Sequence, residues 1–110
     1  MLEVRQKNDG MLHTLIINGH ADHEVKGKDI VCAGVSALAM SLRNAMEYAE
    51  KEDMLDIYHA YGRDGYCEIK AKAKDEYKDM AISLAFYQTG NTIKALSEEY
   101  PENISYEFLK

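Results

Sequence analysis

The sequence predicts an α+β fold, a two-layer sandwich in which two helices cover one face of a mainly antiparallel sheet. Two observations lead to this prediction. Pairs of alternating apolar segments, each pair joined by a glycine-containing turn, are typical of β-hairpins. Each pair is followed by a longer segment whose apolar residues recur every three or four positions, as in a helix with a buried face. With a final alternating segment the order is ββαββαβ, which usually folds in two layers.

The first hairpin comprises residues 2–7 and 11–18, with the turn at Asn8-Asp9-Gly10. Apolar and charged residues alternate in its first segment, and its second segment is rich in apolar and β-branched residues. The first helix is expected from Ile30 to Lys51, because its apolar residues are spaced by three and four. Asp29 is expected at the N-cap, a position that aspartate favours.

The second hairpin comprises Met54 to Tyr61 and Tyr66 to Ala73, on either side of a turn that contains two glycines. Alternation assigns a set of its residues to one common face of the sheet. These residues are Leu55, Ile57, Cys67, Ile69 and Ala71.

The second helix, from about Asp75 to Glu99, carries two apolar stripes. The stripe assigned to the sheet consists of Ile82, Phe86, Ile93 and Leu96. The other consists of Tyr77, Met80, Leu84 and Tyr87, and we expect a second copy of the chain to cover it in a homodimer. Gly90 requires either close packing or a break in this helix. Pro101 ends the helix before a last strand around Ile104 to Phe108.

Length and composition indicate one compact domain that covers residues 1–110. Hydrophobic residues make up 46% of the chain and charged residues 29%, as in ordinary globular proteins. The net charge of −6 argues against a nucleic-acid partner held through its phosphates and favours a basic partner. No apolar run approaches the roughly 18 residues of a membrane span. Two cysteines without a signal-peptide pattern predict free thiols and a cytoplasmic location.

Reactive side chains are concentrated between Gly19 and Ser36, where the second strand ends and the first helix begins. Cys32 lies three residues after the expected N-cap, where unpaired N–H groups and the helix dipole favour a thiolate. The same N–H groups offer a site for an oxyanion. A cysteine nucleophile also needs a base, and His20 at the strand end supplies one if the loop between them folds back.

Two blocks of this region, Gly19-His20-Ala21 and Asp29-Ile30-Val31-Cys32-Ala33, closely resemble the signature of the bacterial ribosomal-processing cysteine proteases. Gly27 between the blocks and Val35-Ser36-Ala37-Leu38 after them extend the match, and the resemblance covers essentially the whole chain. It implies that Cys32 is the nucleophile and that His20 is the general acid and base.

The resemblance also implies a homodimer that removes a short N-terminal extension from the large-subunit ribosomal protein numbered twenty-seven. Some phage-borne members of the family are associated with the processing of capsid or scaffold proteins, which is an alternative function. The segment Asp22-His23-Glu24 is more polar than the aromatic-containing loop expected in the family. This departure concerns substrate preference more than the chemistry.

Asp29 and Ser36 are the supporting candidates of the site, and each has two interpretations. Asp29 caps the helix, orients His20, or does both. Ser36, one turn after Cys32, bonds His20 or the substrate, or bonds back to a helix carbonyl. No cofactor or metal is expected. The alternative chemistry is a metal site of His20, His23 and Cys32, for which a fourth ligand is not evident.

The remaining reactive residues are assigned to structural positions in strands. They are His13, His59 and Cys67. The sequence predicts a cytoplasmic cysteine endopeptidase, and the family resemblance implies a ribosomal protein precursor as its substrate. A noncatalytic dimeric assembly factor that binds a peptide in the same groove is the alternative from another functional class.

Overall fold

The computed structural model describes residues 1–19 and 26–109, with residues 26–29 described by their backbone alone. The elements follow the predicted order ββαββαβ. The strands are β1 (Leu2–Asp9), β2 (Leu12–Asn18), β3 (Leu55–Arg63), β4 (Tyr66–Ala73) and β5 (Ile104–Leu109). The helices are α1 (Lys26–Lys51) and α2 (Glu76–Glu99).

The five strands form one sheet in the order β3-β4-β2-β1-β5. Three neighbouring pairs are antiparallel, and β5 lies parallel to β1 at one edge. The predicted α+β fold with a mainly antiparallel sheet is therefore confirmed. Buried side chains of both helices and of the sheet form one hydrophobic core between the two layers. Among the largest are Leu15, Leu42, Met46, Ile69, Ile82 and Phe86.

The turn of the first hairpin lies one residue later than predicted. Asp9 pairs with Leu12, so that only Gly10 and Met11 lie in the loop. Gly10 has φ of +61°, a left-handed backbone that suits a two-residue hairpin loop and that glycine adopts without steric cost. Asn8 and Asp9 therefore stay in β1.

The second hairpin corrects one sequence assignment. A register shift between Leu55 and Ile57 places Ile57 opposite Lys72 and Tyr58 opposite Ala71. Ala71 is buried, so its neighbour Tyr58 faces the core, and Ile57 is 43% exposed. The prediction that Ile57 shares the face of Ile69 and Ala71 is wrong, because a β-bulge reverses the alternation at that point.

Helix α1 begins at Lys26, four residues before the predicted start. Asp29 therefore lies in the first turn, and its assignment as the N-cap is wrong. An acidic residue is favourable throughout the first turn because it faces the positive end of the helix dipole. The glycine at position 27 costs about 1 kcal/mol relative to alanine and does not stop the helix.

Helix α2 begins after Asp75, whose side chain caps it by accepting the backbone N–H of Lys78 at 2.8 Å. The helix runs through Gly90 without a break and buries Ile82, Phe86 and Ile93. Leu96 packs partly against the core. The second stripe faces outward, with Tyr77 86%, Met80 74%, Leu84 64% and Tyr87 63% exposed.

Candidate active site

A cavity of about 610 Å³ lies between α1 and the β3–β4 hairpin. One wall is formed by α1 residues, namely Cys32, Val35, Ser36, Ala39, Met40 and Arg43. The facing wall belongs to the sheet and includes Ala60, Gly62, Arg63, Tyr66 and Cys67. The cavity is thus an open groove that follows the helix.

The helical repeat explains why these α1 residues share a wall. Ser36 follows Cys32 by one turn, and Arg43 follows it by eleven residues, which is about three turns. The adjacent face of the helix is fixed in the core by Val31, Val35 and Leu42, each 2% exposed. Cys32 is partly buried and packs against the edge of this core. Packing of the neighbouring residues therefore presents Cys32 to the groove.

Cys67 places a second thiol on the opposite wall of the same groove. It is partly buried on the inward face of β4, as the sequence predicts. Burial raises the pKa of the Cys67 thiol, and the Arg43 guanidinium acts in the opposite direction. The neutral thiol is consequently favoured at Cys67, because a buried site penalises the charged form.

The end of β2 is fixed against the same hairpin. Gly19 donates its backbone N–H to the carbonyl oxygen of Gly65 at 2.9 Å. Its φ is +123°, and a Cβ built there would stand 2.2 Å from the carbonyl oxygen of Met1. Only glycine fits this close approach between two backbone segments. The residue that precedes His20 in the sequence is therefore held at the β3–β4 turn, beside the groove.

The structure brings together two of the four predicted site residues, Cys32 and Ser36. His20 lies outside the described residues, as does His23 of the alternative metal site. The backbone of Asp29 lies in the first turn of α1. Among the described residues, no group of three or more histidines, cysteines and carboxylates is arranged to hold a metal ion.

The structure contradicts the helix-terminus argument for Cys32. With α1 beginning at Lys26, Cys32 is the seventh helical residue rather than part of the first turn. Only the first four N–H groups of a helix lack an intrahelical partner, so the N–H of Cys32 is not an oxyanion donor. Its position in the groove and the sequence motif remain as the grounds for predicting that Cys32 is the nucleophile.

Arg43, Arg63 and Tyr66 are groove residues that sequence reasoning missed. The spacing of Arg43 from Cys32 was a usable signal, because three helical turns return a side chain to the same face. Arg63 and Tyr66 gave no comparable signal. They reach the groove only because the β3–β4 hairpin folds against α1.

His13 has the structural position that the sequence predicts. It is 2% exposed, and its Nδ1 and Nε2 lie 3.0 Å from Asn8 Oδ1 and 2.8 Å from Asp79 Oδ1. Its ring stacks on Phe86 with a centroid separation of 5.3 Å. His59 is exposed on β3, with Nε2 4.0 Å from Glu68 Oε2. Both side chains are separate from the groove.

Within the described part of the chain, neither helix has the length and apolar character that crossing a membrane requires.

Comparison of the sequence with known proteins identifies relatives of this chain. A sequence model described as cysteine protease Prp matches residues 1–105. The ribosomal processing cysteine protease Prp of Staphylococcus aureus strain Mu50 is 31% identical over 107 residues, which cover 97% of this chain and 96% of that protein. The protein of the same name from strain NCTC 8325 gives the same values.

Solved structures share the fold. A crystal structure from Streptococcus mutans superposes with a TM-score of 0.77 at 27% identity, covering 99% of this chain and 94% of that one. An essential ribosomal processing protease Prp from S. aureus, in complex with a substrate peptide, has a TM-score of 0.71 at 28% identity, with coverage of 99% and 100%. The S. aureus enzyme with a covalently linked product peptide has the same TM-score at 26% identity and the same coverage.

Proposed function

The chain belongs to the cysteine protease Prp family and is a cysteine protease, and we propose that it removes a short N-terminal extension from the large-subunit ribosomal protein numbered twenty-seven. The ribosomal processing named for the S. aureus relatives supports this substrate. We assign the activity to residues 1–110 as one domain, acting in the cytoplasm, where a ribosomal precursor is available.

The proposed reaction uses Cys32 as nucleophile and His20 as general acid and base. The Cys32 sulfur attacks the scissile carbonyl carbon while His20 holds the thiol proton. The peptide C–N bond then breaks, the amine leaves with the proton from His20, and a thioester remains. Water hydrolyses the thioester and restores the thiol. The covalently linked product peptide of the S. aureus enzyme supports such an intermediate.

Asp29 and Ser36 are proposed as supporting residues. Ser36 lines the groove one helical turn after Cys32, where its hydroxyl can meet the substrate or His20. Asp29, one turn before Cys32 on α1, is proposed to orient His20. Neither role requires a metal or cofactor.

A homodimer is proposed on the exposed stripe of α2, which consists of Tyr77, Met80, Leu84 and Tyr87. Four large apolar side chains on one helix face form a patch that is unusual on a monomer of this size. A twofold-related copy would cover the patch with the same patch.

The observation that carries the proposal is the position of Cys32 in an open groove of about 610 Å³. The test is incubation of the protein with the ribosomal precursor from the same genome, followed by mass spectrometry of the products. Loss of the N-terminal extension is expected with the wild type and with Cys67→Ser, and no loss with Cys32→Ser.

Two results would favour the alternatives. Cleavage of a phage capsid or scaffold protein, with the ribosomal precursor left intact, would assign the enzyme to phage assembly. Binding of the precursor without cleavage, unchanged by Cys32→Ser, would indicate an assembly factor.

A further inference from the structure

The groove beside Cys32 is basic in an acidic protein. The chain carries 13 lysines and arginines against 19 aspartates and glutamates. Among the described residues that line this groove, two are arginines, Arg43 and Arg63, and none is acidic. Low-dielectric walls concentrate the field of the charges they carry, so the groove attracts an anionic group.

The Arg43 guanidinium extends from α1 toward the sheet. Burial raises the pKa of Tyr58 on β3, and Arg43 opposes the effect of burial there and at Cys67 on β4. Its ion pair with Glu47 is long, with 3.9 Å between Nη2 and Oε2, and both side chains are about half exposed at 51% and 46%. Such a pair is weak, so Glu47 takes little of the hydrogen-bonding capacity of Arg43, which has five N–H donors.

Arg63 contributes the second charge from the opposite wall. Its Cζ lies 5.9 Å from the centroid of the Tyr66 ring, within the range of a cation–π contact. A guanidinium that lies over an aromatic face can still donate its N–H groups to a carboxylate. The groove therefore holds two guanidinium groups, one from each of its walls.

The distance between Cys32 and Arg43 can be compared with the length of a peptide. Eleven residues of α-helix span about 16 Å, and the rotation of about 20° leaves both side chains on one face. An extended peptide advances about 3.3 Å per residue, so this distance corresponds to about five residues. A peptide that follows the groove from Cys32 thus brings its fifth residue, counted from the scissile bond, near Arg43.

We propose that this groove selects substrates with an aspartate or glutamate about four to six residues from the scissile bond, and that Arg43, assisted by Arg63, binds its carboxylate. This inference rests on the proposed function and adds a specificity-determining residue to it. Arginine and carboxylate can form two parallel hydrogen bonds, so that the arginine recognises both the charge and the planar shape of the carboxylate.

The test uses a fluorogenic peptide with the cleavage-site sequence of the ribosomal precursor. Glu, Gln or Lys is placed singly at each of the seven positions on either side of the scissile bond. The wild-type kcat/KM is measured for each peptide, and the Kd of each is measured with Cys32→Ser by fluorescence anisotropy. At one position four to six residues from the bond, we expect Glu to exceed Gln by about fivefold. The preference should decrease as salt is raised.

Variants of Arg43 identify the source of the preference. Arg43→Gln should abolish the preference for the Glu peptide, and Arg43→Lys should retain part of that preference. Arg43→Glu should favour the Lys peptide instead. Arg63→Gln should reduce the preference for the Glu peptide. The matched control is Arg5→Gln, on an exposed position of β1 outside the groove, which should leave the preference unchanged.

Each failure has its own signature. Equal cleavage of the Glu, Gln and Lys peptides at every position would refute acid recognition and leave the protease function intact. A preference that survives Arg43→Gln would also refute it. Absence of cleavage by the wild type, together with Arg43-dependent binding of the Glu peptide, would support acid recognition and refute the ribosomal substrate.

Discussion

The side-chain amide of Gln6 occupies the space beside Gly90, where a Cβ would stand 1.8 Å from its Oε1. Gln6 is 4% exposed, donates its Nε2–H to the Phe86 carbonyl oxygen at 3.1 Å and accepts the Tyr106 hydroxyl at 2.5 Å. This contact joins β1 to α2 and β5 and explains a glycine in the middle of a helix. A side chain at position 90 has no room while the Gln6 amide keeps this position.

Gly90→Ala should therefore destabilise the protein. Overpacking costs about 1–3 kcal/mol, whereas alanine gains about 1 kcal/mol of helix propensity. The difference is a net loss of about 0–2 kcal/mol in the free energy of unfolding, and the 1.8 Å approach to a buried side chain favours the upper half of that range. Urea denaturation measures it. Gly34→Ala is the matched control, because the nearest atom to its added Cβ is Leu96 Cδ1 at 4.0 Å. An unchanged or higher stability for Gly90→Ala would show that the Gln6 side chain moves away from position 90 at little energetic cost.

Cys32 should react with iodoacetamide faster than Cys67 at pH 7. The thiolate is the reactive form, and the raised pKa of Cys67 means that less of its thiol is ionised at neutral pH. Labelling of Cys67 should accelerate as the pH rises toward its pKa, and Arg43→Gln should slow it further by removing a positive charge. Brief labelling followed by peptide mapping measures both rates. Faster labelling of Cys67 than of Cys32 at pH 7 would contradict the assignment.

His20→Ala should lower kcat for the precursor peptide by about 100-fold or more, the usual contribution of a general acid and base. His23→Ala should have a much smaller effect, because only His20 matches the family motif. Steady-state kinetics at saturating peptide concentration measures kcat for the His20→Ala and His23→Ala variants. Comparable losses, accompanied by zinc in elemental analysis of the wild type, would support the metal site of His20, His23 and Cys32.

Leu84→Glu should convert the proposed dimer into a monomer. The substitution places a charge at the centre of the exposed α2 stripe, where burial against a second copy would be unfavourable. Sedimentation velocity at micromolar concentration gives the oligomeric state, and circular dichroism shows whether the variant remains folded. Asn44→Glu, an exposed position on α1, is the control. A monomeric wild type would refute the dimer, and a variant that stays dimeric and folded would place the interface elsewhere.

The sequence by itself determined the order of elements, most of their boundaries and the two stripes of α2. These depend on local periodicity, which is set by the repeat of a strand or a helix. The motif around His20 and Cys32 also identified the family, because it is carried by residue types at fixed spacing.

Tertiary structure decided the features that local periodicity does not contain. The bulge at Leu55 and Ile57 arises from pairing with β4, and the space for Gly90 depends on a side chain 84 positions away in the sequence, Gln6. The start of α1 at Lys26 removed the helix-terminus argument for Cys32. Arg43 and Arg63 come to line the same groove only after α1 packs against the second hairpin, because the two residues belong to different layers of the fold.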